Sequence, residues 1–403
     1  MSTAVYAVAT MDTKEAELTF VAQCLREAGI TVKTVDVGTL NEPRAAADVS
    51  RQDVLGIAGQ RPFGEDRGTA VTAMGEALRE YMRHEVAAGR VAGILGIGGS
   101  GGTALITTAM RALPIGLPKL MLSTVASGNT APYVDCSDIA MMYSVVDVAG
   151  LNIVSRRIFA NAAHAMAGMV RQPKHTQETR PALGMTMFGV TTPCVTQVRE
   201  TLESQGFDCL VFHATGTGGR AMEKLVASGL LRGVLDITTT EVADEVVGGV
   251  FPAGGARFEH LVRGGIPLVL SVGATDMVNF GALDTVPPQF ADRLLHVHNA
   301  QVTLMRTNED ENRRIGQWIA QKLNHATAPF TLLLPEGGVS MLDAPGQPFH
   351  DPVASGTLLA TLEAEIIPGP GRQVLRLPHH INDPEFADAL VAHFRALWND
   401  ANG

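Results

Sequence analysis

The chain has 403 residues, 46% of them hydrophobic and 18% charged, more than one ordinary hydrophobic core accommodates, so two domains are expected. Its formal net charge of −10 and its 5% aromatic content argue against a nucleic-acid partner, which needs clustered Lys and Arg and surfaces for base stacking. No apolar run reaches the length of a membrane span, and the short N-terminal run lacks a signal peptide's basic region, so a cytoplasmic protein without a membrane partner is expected.

In chain order, Ala4–Ala9 reads as a short apolar strand, Thr10–Lys14 as a polar turn and Glu15–Ala28 as a helix with Leu18, Val21, Ala22 and Leu25 on one face. Gly29 stops that helix, and Thr31–Val37 resumes as a β-branched strand. A helix over Ala70–Ala88, a strand over Val91–Ile97, a glycine turn and a helix through Thr103–Arg111 follow. Pro114 and Pro118 then break the chain before a strand at Lys119–Leu122. The polar stretch Arg171–Arg180 reads as a linker between a first lobe, 1–175, and a second, 181–403.

Beyond the linker the opening pattern returns. Leu183–Phe188 is a strand, Gly189–Pro193 a turn and Val195–Ser204 a helix, with a stop at Gly206 and the strand Cys209–His213 behind it. Aligning Gly29 with Gly206 brings Val35 over Phe212. Further units begin at Gly233–Asp236 and Pro267–Val272, then come the strand Thr331–Leu334 and a closing helix at Glu385–Trp398. Continuous apolar strands alternating with helices predict an α/β protein of two Rossmann-like lobes, each a mostly parallel sheet with helices on both faces. Cysteines 24, 136, 194 and 209 show neither CxxC nor metal-ligand spacing, and they read as free structural thiols of a reducing compartment.

In open parallel sheets ligands bind beyond the carboxyl ends of strands, so the turns after strands carry the chemistry. Gly98-Gly99-Ser100-Gly101-Gly102-Thr103 follows an apolar strand and opens a helix, where backbone N–H groups and the helix dipole attract an anion. Its glycines let the backbone approach phosphate oxygens; the bland alternative is a tight packing turn. The Walker lysine is absent, and Gly96-x-Gly98-x-x-Gly101 matches a dinucleotide fingerprint only in its letters. Ser123, Thr124, Ser127 and Gly128 form a second small polar turn, equally readable as a capped helix start. Asp12, Thr13 and Lys14 form a capping-like group that should lie beside the glycine loop in a doubly wound sheet, and Lys14 is the candidate cation there.

In the second lobe Thr215-Gly216-Thr217-Gly218-Gly219 repeats the cradle argument for a phosphate or carboxylate. His213, Asp236, Glu241 and Asp276, all near strand ends, are expected to converge as catalytic acid/base or metal-binding groups. Taken singly, each reads as a helix cap or a strand-end histidine. His296 with His298 and His379 with His380 are paired histidines without a third ligand at helical spacing, so no metal ligands are assigned. Arg306–Glu309 and Pro335–Ser340 are polar turns to which spacing gives no role.

Longer motifs resemble a known family. Met110–Leu120, Ser123–Asn129, Thr186–Pro193, Phe212–Glu223, Val234–Glu241, Asp276–Gly281 and His380–Asp383 are similar to the Tm-one-like ATP-binding domain family, over essentially the whole chain. The resemblance implies two Rossmann-like lobes, a homodimer, and ATP with Mg2+ bound in the first lobe. The positions matching its nucleotide contacts are Asp12, Thr13, Gly98 through Thr103, and the 123–128 loop. It assigns no reaction. Three functions are therefore expected in parallel: a magnesium-ATP-binding enzyme with a small acidic or carbonyl substrate in the second lobe, a nucleotide-regulated binding protein without chemistry, and a hydrolase or isomerase of a small phosphorylated metabolite.

Overall fold

The strand Ala4–Ala9 (β1) is buried along its whole length, yet its side chains serve two cores: Tyr6 and Val8 point to one, Val5, Ala7 and Ala9 to the other. A strand apolar on both faces needs helices on both faces, the condition of a parallel sheet. In this computed structural model, which describes residues 3–40, 45–58, 66–171 and 180–402, that condition is met twice. Contacts divide the chain into two compact units, Met1–Thr176 and Gln177–Gly403. Of the stretch read as a linker, 172–179 lies outside the described residues.

In the first unit β1 pairs in parallel with β2 (Val32–Asp36) and β3 (Val91–Gly98), and β4 (Lys119–Ser123) and β5 (Ala140–Tyr143) complete a sheet of order β2-β1-β3-β4-β5. The helices are α1 (Met11–Glu27), α2 (Arg51–Ala58), α3 (Arg67–Ala87), α4 (Ser100–Arg111), the single turn α5 (Ala131–Val134) and α6 (Ile153–Arg171). α1 and α6 cover the Val5 face, while α2, α3 and α4 cover the Tyr6 face. The chain leaves β1 to one side for β2 and returns to the other side for β3, so strand order reverses between β1 and β3.

The second unit holds β6 (Ala182–Met187), β7 (Asp208–His213), β8 (Gly233–Thr238), β9 (Leu268–Gly273), β13 (Phe330–Pro335) and β14 (Arg372–Leu377). All neighbours are parallel, in the order β14-β13-β9-β8-β6-β7, with the same reversal between β6 and β8. A separate antiparallel sheet of order β10-β12-β11 comprises β10 (Met277–Phe280), β11 (Leu295–Asn299) and β12 (Val302–Arg306). α7 (Thr192–Ser204) and α13 (Pro384–Asn402) pack on one face of the large sheet. α8 (Thr217–Ala227), α9 (Thr240–Val247), α10 (Glu259–Arg263), α11 (Glu309–Leu323) and α12 (Pro352–Glu365) pack on the other.

The repeat read from the sequence is therefore architectural. Gly29 and Gly206 follow the first helix of each unit at positive φ, 75° and 92°, the left-handed stop that glycine adopts most readily. One helix start departs from the sequence reading. Thr10–Lys14 is not a free turn: α1 begins at Met11, whose amide donates to Asp36 Oδ1 at 3.0 Å.

Candidate functional site

β3 passes into α4 through one residue, Gly99, which caps the helix without a side chain. The amides of Ser100, Gly101 and Gly102 have no acceptor among the described residues, and the first returning bond runs from Thr103 N to Gly99 O at 2.8 Å. Such unpaired amides, with the helix dipole behind them, form an anion-binding end. A Cβ built at Gly98 would lie 3.0 Å from the Gly102 backbone, so the tight turn leaves little room for a side chain there. A Cβ at Gly101 meets nothing within 4 Å. Packing accounts for Gly98 and leaves Gly101 unexplained.

The other predicted contacts divide into braces and open positions. The buried hydroxyls of Thr103 and Ser123 bond each other at 2.6 Å, tying α4 to the end of β4. Ser123 Oγ also accepts from Val125 N at 3.1 Å. Thr124 is half-buried, with its Oγ1 3.8 Å from where a Gly99 Cβ would sit, and Ser127 and Gly128 are exposed. Asp12 Oδ2 accepts from the amides of Thr39 at 3.2 Å and Leu40 at 2.9 Å, and among the described residues Oδ1 has only a 3.4 Å contact from the Thr13 hydroxyl. Lys14 interrupts α1 at φ −129°, ψ 24°, and its ammonium makes no hydrogen bond or ion pair among the described residues. Asp36 is already engaged by Arg51 at 2.8 Å and by two amides. Because β1 adjoins β3, the starts of α1 and α4 flank the reversal of strand order, the usual ligand crevice of such sheets.

Among the described residues no group of three or more His, Cys, Asp or Glu could hold a metal ion. Asp12 Oδ1 and the hydroxyls of Thr10 and Thr13, 3.2 Å apart, suit Mg2+ held mainly by water and phosphate oxygens. They do not form an all-protein metal site.

In the second unit the four predicted groups separate. Asp236 and Glu241 do meet, around the buried Arg257: Nη2 donates to Asp236 Oδ2 at 2.7 Å and Nε to Glu241 Oε1 at 2.6 Å. Its Nη1 donates to Glu223 Oε1 at 2.8 Å, and the guanidinium lies 4.5 Å over the Phe258 ring. Two of the three carboxylates also sit on helix starts. Glu223 accepts the amides of Phe258 and His260 at α10, and Glu241 Oε2 accepts the Gly216 amide at α8, 2.9 Å away. The Thr215–Gly219 cradle thus holds a carboxylate, and it is the chain's own. Gly216 has φ 76°, and side chains at Gly218 and Gly219 would strike His213 O and Glu241 Oε1. Among the described residues Asp236 has no amide partner and accepts otherwise only from the Thr186 hydroxyl, at 2.7 Å. Burial raises its pKa against the pull of Arg257.

Asp276 belongs to a second buried cluster. Its Oδ2 accepts from Ser340 Oγ at 2.7 Å, while Oδ1 has no partner among the described residues. Burial first, and then the charge of Asp343, pushes its carboxyl up to about 7. Arg306 ties that cluster together, donating to the Asp276 carbonyl at 3.3 Å, Asp343 Oδ1 at 3.3 Å and Ser355 Oγ at 2.8 Å. His213 joins neither cluster. At the end of the edge strand β7 it packs against Phe188, ring centroids 5.3 Å apart, and burial lowers its pKa. His296 lies edge-on to Phe349. Arg257 escaped the sequence reading because nothing local marks it in the run Gly254–Arg257. The available signal was indirect: acidic residues at apolar strand ends need a buried cation.

The N-terminal domain of UPF0261, described as an uncharacterised protein family, matches residues 3–175, and its C-terminal domain matches 180–398. The chain belongs to the UPF0261 family. A UPF0261 protein of Rhizobium meliloti is 53% identical over 399 residues, covering 98% of this chain and 99% of its own length. The ToMV resistance protein Tm-1 of Solanum lycopersicum is 46% identical over 417 residues, covering 97% of this chain and 55% of its own. The ToMV susceptible protein tm-1 of the same plant is also 46% identical, over 419 residues and with the same coverage. This UPF0261 chain therefore spans about half of each tomato protein. Equal identity to the resistant and susceptible forms means the likeness reports shared ancestry and not the trait.

Proposed function

We propose that the first unit of this UPF0261 protein binds ATP as its magnesium complex, with the phosphates on the start of α4. The observation behind this reading is the set of unpaired amides at Ser100–Gly102, with open space at Gly101, beside the reversal between β1 and β3. A nucleotide phosphate supplies the anion those amides lack. Its oxygens supply most Mg2+ ligands, with Asp12 and the hydroxyls of Thr10 and Thr13 nearby. Lys14 supplies the cation that a Walker lysine supplies elsewhere. A homodimer and a small-molecule site in the second unit, for an acidic or carbonyl substrate, belong to the same reading. Asp236 and Glu241 are committed to Arg257, so His213 is the titratable strand-end group left accessible to such a substrate.

A second reading, a hydrolase or isomerase of a small phosphorylated substrate, rests on the same unpaired Ser100–Gly102 amides, which suit any phosphate and do not by themselves select a nucleotide. Calorimetry with magnesium-ATP, ADP and a sugar phosphate distinguishes the two, with Gly101→Asp as the site probe. A carboxylate there favours the helix dipole by about 0.3–1 kcal/mol and repels a phosphate. ATP affinity should fall at least tenfold while the fold persists. Unchanged affinity removes the proposed site, and tighter binding of the sugar phosphate than of ATP selects the second reading.

A further inference from the structure

A cleft of about 190 Å³ opens where β13 and β14 end, with Glu336, Gly338, His350 and Arg376 on its rim and Gly356 and Leu359 of α12 as its wall. It lies beyond the carboxyl ends of parallel strands, where such sheets bind ligands. The turn Pro335–Ser340, to which spacing gave no role, contributes to it.

The cleft rests on a polar frame that is already satisfied. Asp343, 1% exposed, accepts from Arg306 and, through Oδ2, from Ser355 Oγ at 2.9 Å and Val339 N at 3.1 Å. Gly338 has φ 123°, and a Cβ there would strike Asp343 O, so the rim is pinned in a conformation that requires glycine. Gly356 is different. It sits inside α12, where glycine costs roughly 0.5–1 kcal/mol relative to alanine, and its missing Cβ would meet nothing within 4 Å. No neighbouring atom requires glycine there.

The groups left over carry both signs. His350 Nδ1 lies 3.2 Å from Asp343 O. A carbonyl only accepts, so Nδ1 holds the hydrogen, and in the neutral ring Nε2 presents its lone pair. Arg376 grips Glu363 through Nε at 3.1 Å and Nη2 at 2.5 Å, while its Nη1 makes only a loose 3.5 Å approach to Glu336. The Gly338 amide and His350 Nε2 have no partner among the described residues. The residues lining the cleft thus bring two acceptors, Glu336 and His350 Nε2, and two donors, Arg376 Nη1 and the Gly338 amide, together with the apolar Leu359.

We infer that this cleft binds a small zwitterion, an aliphatic α-amino acid. Its ammonium goes to Glu336 and His350 Nε2, its carboxylate to Arg376 Nη1 and the Gly338 amide, and its side chain to Leu359 and the space at Gly356. A plain amine or a plain acid engages only half of these groups, and so gains less affinity. The volume lies below the roughly 300–1,000 Å³ of drug-sized sites, as suits a ligand of few heavy atoms. The inference is independent of nucleotide binding in the first unit.

Calorimetric titration of the full chain with alanine, valine and leucine, and with butylamine and butyrate as half-ligands, tests it. At least one amino acid should bind saturably, tenfold or more tighter than either half-ligand. Gly356→Leu starts from a Cβ position with nothing within 4 Å and extends the side chain into the cleft, so it should abolish that binding with an unchanged or raised melting temperature. Glu336→Gln should weaken it at least tenfold. Magnesium-ATP titrations of both variants should match the wild type, which keeps this outcome separate from that of the first unit. The inference is overturned if no amino acid binds at millimolar concentration, if binding survives Gly356→Leu, or if butylamine or butyrate alone binds as tightly.

Discussion

Replacing Asp276 with asparagine should change how the stability of the second unit depends on pH. Burial, followed by the neighbouring charge of Asp343, holds the Asp276 carboxyl up to about 7 in the folded chain, against an ordinary 3.8. Between those values the folded state keeps a proton that the unfolded chain has released. The stability from this group is therefore complete below about pH 4 and is lost as pH rises toward about 7. At about 1.36 kcal/mol for each tenfold in proton affinity, the loss is on the order of 4 kcal/mol. Asp276→Asn keeps the shape and takes up no proton, so this part of the pH dependence disappears, and above about pH 7 the variant is the more stable protein. Asp244, also raised to about 7 by burial, remains and preserves part of the slope. Trp318 and Trp398 are the two tryptophans of the chain, and both lie in the second unit, so urea unfolding followed by their fluorescence reads that unit alone. The wild-type and variant stabilities should approach each other near pH 4 and diverge by about pH 8. Parallel curves across that range would refute the reasoning.

The buried arginine gives a larger effect. Arg257→Met strands three buried carboxylates and should cost at least about 3–5 kcal/mol by the same fluorescence measurement; a loss below about 1 kcal/mol would mean that the cluster does not depend on it. Gly216→Ala meets both a φ of 76° and the Pro252 carbonyl at 2.6 Å, so a loss of about 1–3 kcal/mol is expected, and a neutral result would remove the steric account of that turn. Cys194 is 1% exposed and burial pushes its thiol up to about 12, so it should label with a thiol reagent at pH 8 only as fast as the second unit unfolds; rapid labelling of the native chain would contradict its placement.

The features legible in the sequence were the local ones. The apolar run of β1, the helix stops at Gly29 and Gly206 and the glycine turn between β3 and α4 each announce themselves within a few residues. The start of α1 did not, because its cap comes from Asp36, 25 positions away, and only the pairing of β1 with β2 brings the two together. The charged core of the second unit was half legible. Asp236 and Glu241 could be placed near each other by strand-end logic, while Arg257 and Glu223 reach them from other segments without any periodic signal. Asp276 and His213 both lie near strand ends but not in one neighbourhood, since the strands, β9 and β7, are different members of a six-stranded sheet.

The two glycine-rich turns, Gly98–Gly102 and Thr215–Gly219, are spelled alike, but they differ in what can compete for them. At the second, Glu241 is tethered to the same folded unit and held by Arg257 as well as by the Gly216 amide. Even a short flexible tether presents its group at an effective concentration of roughly millimolar, and a side chain fixed on a helix does better. A diffusing phosphate would have to displace that carboxylate and leave it to find new partners in a dry interior. One of these turns thus keeps its amides unpaired among the described residues while the other carries its own plug, and a single acidic side chain makes the difference.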